Sequence, residues 1–391
     1  ANLSLEAKDG DIKNSIIDLE EDYKDSFKII GEQIATTNHQ FEDTKEITNL
    51  QTNNLKYFNE YGGFSEDGNE YIIRTNRDSR LPAVWSHVLA NKNFGTIVTE
   101  NMGGYTWSQN SRLNRLSAWQ NNSVQDIPSE IIYLKDNQTC KAWSLGLNPM
   151  PDENDYIVKF GFGYANYEHK SDGIIQSVDV FVAKEDKAKV NIIKLKNIEP
   201  KKKNIKLVYY IKPVLGEDEV NTKSFLNLKY KEQENFVYMK NVFTNDFKNN
   251  ISYVCCSEKI SSFTGSKKSF LGNGNISNPE ALNKVALDFE NSLGQMPCIA
   301  IQVNILLDEY ENKEISLTFG NENSIEEVKK YIEERFTNID SKGRRFMKSP
   351  IVSPNKRENL IYDYKGYTPP PNGWSISRDV MEKWDKEDKL F

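Results

Sequence analysis

Two tryptophans, two arginines, a tyrosine and two asparagines fall within one run, Gly103-Gly-Tyr-Thr-Trp-Ser-Gln-Asn-Ser-Arg-Leu-Asn-Arg-Leu-Ser-Ala-Trp119. Aromatic faces beside planar donors suit a polyhydroxylated ring: its C–H face stacks on indole, and its hydroxyls bond to guanidinium and amide groups. The candidate binding residues are therefore Tyr105, Trp107, Asn110, Arg112, Arg115 and Trp119. Two plainer readings stay open. The tryptophans could fill the core of a β-domain, and the arginines could tie loops to backbone carbonyls.

Other constellations carry less chemistry. Glu66, Asp67 and Glu70 could supply an acid and a base, but Asp67-Gly68 is a hairpin signal and the turn reading is preferred. Gly161-Phe-Gly163 has the look of a phosphate loop, yet no helix pattern follows to offer its N-terminal amides. Phe270-Leu-Gly-Asn-Gly274 reads as a long hairpin connection. Histidines stand only at 39, 87 and 169, without HExxH or CxxC spacing, so neither a metal nor a cofactor is expected. No GxSxG elbow or Walker loop is present, and no residue is assigned a catalytic role.

The elements that position these residues read as strands. Hydrophobic residues make up 38% of the 391-residue chain, charged residues 27% and aromatics 11%, a globular composition whose rings favour pleated surfaces. A net charge of −7 argues against nucleic acid and anionic membrane surfaces. Local basic runs such as Lys201-Lys-Lys203 read as solvated turns. Cys140, Cys255, Cys256 and Cys298 make no disulfide framework, and the adjacent pair would point to opposite faces of a strand, so a reducing, cytoplasmic setting is expected. No apolar run approaches the roughly 20 residues of a membrane helix.

Positions Ile12, Ile16, Leu19, Tyr23, Phe27 and Ile30 predict a helical lead over residues 1–50, ending in a polar linker. From Tyr57 the period shortens. Glu70–Arg74, Gly95–Thr99, Glu130–Leu134, Tyr156–Phe160, Ile174–Ala183, Lys189–Leu195 and Ile205–Tyr210 are short β-branched or aromatic runs between turn residues. The pattern resumes at Phe236–Met239, Ser252–Cys256, Cys298–Leu306 and Glu314–Phe319. The expected architecture is mainly β: a large antiparallel sandwich over 51–322, with a short helix at Pro279–Ala286 on its edge. Ile325, Val328, Ile332 and Phe336 then predict a linker helix over 323–336, with Ser324 as N-cap and Glu327 in the capping-box position. Residues 337–391 form an irregular, partly helical, proline-rich tail.

In order, several segments resemble one family. Tyr57-Phe-Asn-Glu-Tyr-Gly-Gly-Phe-Ser-Glu-Asp-Gly-Asn-Glu-Tyr-Ile-Ile73 is similar to the opening of the N-terminal β-sandwich, or supersandwich, module of glycoside hydrolase family 94, whose members include cyclic β-1,2-glucan synthases and 1,2-β-oligoglucan phosphorylases. Ala90-Asn-Lys-Asn-Phe-Gly95 and the Gly104–Trp119 run match its most distinctive stretch. Gly161-Phe-Gly-Tyr164, Gly173-Ile174, Phe181-Val182, Val214-Leu-Gly216 and Pro297-Cys298 continue it. The chain departs from the family pattern at Phe160 and Ala165, which flank the Gly-x-Gly-Tyr run, and at Met296 before Pro297.

The resemblance implies a carbohydrate-associated module of a glycosyltransferase or glucan phosphorylase. In the family, the acid that protonates the leaving oxygen and the phosphate pocket belong to an (α/α)6 barrel, and nothing after Phe319 has its long apolar helices. The expected partners are a β-glucan oligosaccharide and that barrel. Two alternatives remain: a self-standing sugar enzyme akin to aldose mutarotases, which would need a histidine and a carboxylate in one cleft, and an accessory to DNA modification. The last arises because Ile339–Phe346, Ser353–Asn355 and Tyr364–Arg378 resemble a fragment of type III-like DNA adenine methyltransferases, lacking that family's catalytic and cofactor motifs.

Overall fold

The computed structural model describes residues 55–122, 124–243, 247, 249–292, 296–335, 338–339, 345–346 and scattered positions from 361 to 382. These belong to one compact unit, Thr52–Phe391. The expected helical lead lies outside the described residues, as does most of the tail with its methyltransferase-like segments.

Alternation of apolar and polar residues dictates the strands. The first half of the chain contributes β1 (Gly62–Phe64), β2 (Glu70–Thr75), β3 (Ser86–Ala90), β4 (Phe94–Thr99), β5 (Gly104–Ser108), β6 (Arg115–Ser117), β7 (Glu130–Asp136), β8 (Ala142–Ser144), β9 (Tyr156–Gly161), β10 (Tyr164–Ser171) and β11 (Ile174–Val182). The second half adds β12 (Ala188–Asn197), β13 (Lys203–Ile211), β14 (Pro213–Gly216), β15 (Leu226–Lys231), β16 (Phe236–Asn241), β17 (Ile251–Cys256), β18 (Ile260–Ser266), β19 (Pro297–Leu307) and β20 (Asn312–Glu322). Every run expected as a strand lies on one, although Ala183 falls just past the end of β11.

Strands β1-β2-β9-β10-β11-β12-β20-β17-β16-β15 form a ten-stranded sheet, and two five-stranded sheets run β18-β19-β13-β7-β8 and β14-β6-β5-β4-β3. All the pairings in these three sheets are antiparallel. One continuous core joins them, with Val178, Ile193 and Leu317 from the large sheet, Leu134, Leu207 and Ile301 from one small sheet, and Phe94, Val98 and Leu116 from the other. Burial of both faces explains why the middle of β7, Ile131-Ile-Tyr-Leu134, is an unbroken apolar run: its outer face, with Ile131 and Tyr133, packs under Phe270 and Leu282.

The linker helix forms as expected over Ile325–Arg335. Ser324 Oγ accepts the Glu327 N–H (3.1 Å), while the Glu327 carboxylate reaches back to the Asn323 N–H (3.1 Å). Its apolar stripe, Val328, Tyr331 and Ile332, covers Tyr253 and Cys255 on the outer face of the large sheet. Cys256, on the next position of β17, faces the central core, so the adjacent thiols do point oppositely. Among the described residues no helix is long and apolar enough to cross a membrane.

Two smaller expectations are corrected and one is borne out. Lys203 is not a solvated turn residue: it is wholly buried, its Nζ 3.1 Å from Asp136, 3.2 Å from Glu199 and 3.6 Å from Asp172. Phe270–Gly274 does lie in the long connection between the antiparallel pair β18 and β19, and includes the end of a short helix, Lys267–Leu271, stopped at Gly272 with φ 60°. The edge segment at Pro279–Ala286 holds a single 3-10 turn, Glu280–Asn283.

Candidate functional site

Strand β5 puts Tyr105 and Trp107 on one face and Thr106 on the other. Asn110 then turns the chain: its Oδ1 accepts the N–H groups of Arg112 and Leu113, both at 2.9 Å. The return strand places Arg115 directly opposite Trp107. On the outward face, Tyr105 is held between two indoles, with Trp119 stacked at 4.8 Å and 18° and Trp107 tilted at 5.2 Å and 37°. The Arg115 guanidinium lies 5.8 Å from the Tyr105 ring centre. Ser111 O accepts from both the Tyr105 hydroxyl (3.2 Å) and Arg115 Nε (3.3 Å), which locks the strip to its own turn.

Gly95 is required beneath this strip. It faces Trp107 across β4 and β5, and a Cβ there would sit 2.4 Å from the indole.

The six expected residues therefore divide. Tyr105, Trp107, Arg115 and Trp119 assemble into one aromatic–guanidinium strip. Exposed Asn110 spends its Oδ1 on the turn, and Arg112 projects to solvent, paired with exposed Glu217 at 3.2 Å. Tyr105 is 5% exposed, whereas Trp119 keeps 37% of its surface free.

The inward face of the same strand holds a buried polar network that sequence reading missed. Glu130 accepts hydrogen bonds from Thr106 Oγ1 (2.6 Å), Ser117 Oγ (2.6 Å), Lys189 Nζ (2.9 Å) and the Tyr209 hydroxyl (3.3 Å). Burial alone would push its carboxyl up, but Lys189, Ser117 and Thr106 outweigh that and hold it below the usual range. The available signal was Thr106 itself: a polar residue on the inward phase of an aromatic strand demands a polar partner inside.

A second unread cluster sits at the far end of β4. Asn101 Nδ2 donates to Glu100 (2.9 Å) and also to Asp126 (3.1 Å), and Thr99 Oγ1 donates to Asp126 at 2.5 Å. Burial and the neighbouring Asp126 charge push the Glu100 carboxyl up to about 7, and burial raises Asp126 likewise.

The remaining expectations resolve into structure. Asp67 organises the β1–β2 turn, accepting from Ser65 Oγ (2.6 Å) and the Asn69 N–H (3.1 Å), with Gly68 at φ 75°. Glu70 accepts from the Tyr164 hydroxyl. Gly161 and Gly163 bound the β9–β10 turn.

The two described histidines have separate partners. The fully buried side chain of His169 stacks on Tyr156 at 3.7 Å with Nε2 3.1 Å from Asp152, while His87 stacks on Phe160 and meets Gly161 O at 2.9 Å. Burial would raise the Asp152 carboxyl, but His169 outweighs it and holds Asp152 at about 2. Among the described residues no group of histidine, cysteine or carboxylate side chains is arranged to hold a metal.

A ten-stranded antiparallel sheet backed by two smaller ones is a β-supersandwich. The chain belongs to the family described as "Glycosyl hydrolase 94, supersandwich domain", which matches residues 69–337. It is 24% identical to the cyclic beta-(1,2)-glucan synthase NdvB of Rhizobium meliloti over 75% of this chain and 10% of that protein. It is 29% identical to the N,N'-diacetylchitobiose phosphorylase of Vibrio furnissii over 54% of this chain and 27% of the relative. The cellobionic acid phosphorylase of Neurospora crassa is 23% identical over 49% of this chain and 25% of its own length. The chain thus spans about a quarter or less of these relatives.

Proposed function

We propose that this chain is a non-catalytic carbohydrate-binding and structural module of a β-glucan phosphorylase or cyclic β-1,2-glucan synthase, working beside an (α/α)6 barrel whose glucan cleft it helps to line. The setting is cytoplasmic, as its unpaired cysteines suit a reducing compartment. The observation that carries the reading is the strip on β5 and β6, where an indole with a free face sits stacked on a tyrosine whose position the neighbouring turn fixes. A glucosyl ring lies with its C–H face on Trp119, and Arg112 exchanges Glu217 for sugar hydroxyls. Tyr105, Trp107 and Arg115 hold the platform flat.

The second reading, a self-standing sugar enzyme, is disfavoured because the side chain of His169 is wholly buried and His87 is stacked on Phe160 with its Nε2 engaged by Gly161 O.

Titration of β-1,2-linked glucan oligosaccharides into the purified chain tests the proposal. Trp119→Ala and Arg112→Ala are expected to weaken binding at least about tenfold, the equivalent of about 1.4 kcal/mol each. Trp107→Ala should weaken it through loss of the platform. No measurable affinity in the unmutated chain would leave a purely structural module, and glucan phosphorolysis by homogeneous protein would overturn the non-catalytic assignment.

A further inference from the structure

Behind the turn that carries Asn110, where β14 approaches β17 and β20, four asparagine side chains and Ser252 line one small cavity. Two of them spend their amide on backbone: Asn114 donates to Ser108 O and Asn241 to Leu215 O, each at 2.9 Å. The other two do not. Asn321, 1% exposed, donates from Nδ2 to Ser252 Oγ (3.3 Å) and leaves Oδ1 with no partner. Half-buried Asn250 leaves Nδ2 with no acceptor. A buried polar atom left unmet is destabilising, so an acceptor and a donor on two residues lining the same cavity call for a ligand that answers both.

Size and chemistry narrow that ligand. The cavity measures ≈ 10 Å³, about the room needed for one water-sized group. A cation would be repelled by the Asn250 amide hydrogens, and an anion by Asn321 Oδ1. A hydroxyl both accepts and donates. We infer that this cavity is a socket for a single neutral hydroxyl, whose oxygen accepts from Asn250 Nδ2 and whose hydrogen goes to Asn321 Oδ1. Two carriers share this chemistry, water and the terminal hydroxyl of a polyol or saccharide. In either case the group bridges the start of β17 to β20 within the large sheet, independently of what lies on the aromatic strip.

Crystals of the full chain grown without polyols, and the same crystals soaked in methyl β-glucoside, read the site directly. The expected result is one oxygen within hydrogen-bond distance of both Asn250 and Asn321. The soak leaves it unchanged if the carrier is water and replaces it by a sugar hydroxyl if the carrier is a saccharide. Asn321→Leu should abolish the peak in both crystals; should that variant not fold, Asn250→Leu reads the same loss. An empty cavity in crystals that show other buried waters, or density for an anion or a cation, overturns the assignment.

Discussion

At Gly95 the absence of a side chain is what the aromatic strip is built on. Gly95→Ala sets a methyl group 2.4 Å from the Trp107 indole and forces the ring to move. The expected loss is about 1–3 kcal/mol of stability with an altered near-ultraviolet circular dichroism spectrum, and unchanged values of both would show that the indole does not rest there. Glu100 makes a different single-residue prediction. Its carboxyl titrates near 7 in the folded chain against an ordinary 4.5, so the folded state binds the extra proton between those values. Its contribution is therefore complete below pH about 4.5 and is lost as pH rises through about 7, at no more than about 1.4 kcal/mol per pH unit. Denaturant titrations of Glu100→Gln should flatten the decline in stability across that window, and an unaltered slope would remove Glu100 as its source.

Among the elements, the helix Ile325–Arg335 is a cover over one face of the large sheet. Cys140 is exposed and the other three thiols are buried, so a thiol reagent should label one site quickly. Removing the cap with Ser324→Ala costs about 1 kcal/mol and should speed labelling of Cys255 under the helix while leaving Cys256, on the core side, slow. If both thiols respond alike, the helix is not a separate cover.

This helix was legible because Ser324, Glu327 and the Val328–Ile332 stripe are all local signals. Strands rich in β-branched residues, such as Ile174–Val182, were legible for the same reason. Tyr164–Ser171 was not, since five of its eight residues are polar or charged and find partners far along the chain, as Asn166 does with Asp179 at 2.7 Å. Pairings such as β2 with β9 and β12 with β20 join segments far apart in the chain, and no local pattern encodes them. At the candidate site, composition singled out the run Gly103–Trp119 but not the role of each residue in it. Only the fold separates Asn110, which shapes the turn, from Trp119, which keeps an open face.

Across the whole molecule, buried charge links the layers. Glu130 on a strand of one small sheet meets Lys189 on the large sheet and Thr106 and Ser117 on the other small sheet. Lys189→Met strands a buried carboxylate and should cost about 3–5 kcal/mol by urea denaturation, whereas pairing it with Glu130→Gln should recover a large part of that loss. A double variant as unstable as the single would show that the charge pair is not what couples the sheets.

Strand β5 therefore looks two ways, its rings outward and its threonine clamped from within by a salt-bridged carboxylate. The spacing of Trp107, Tyr105 and Trp119 is set from the interior, like teeth on a rail bolted from below. On the function proposed, an oligosaccharide settling on Trp119 meets a ring already held in place, and the entropic penalty of ordering falls on the sugar chain alone. Short, already curved glucans would then have an advantage over long flexible ones of identical composition.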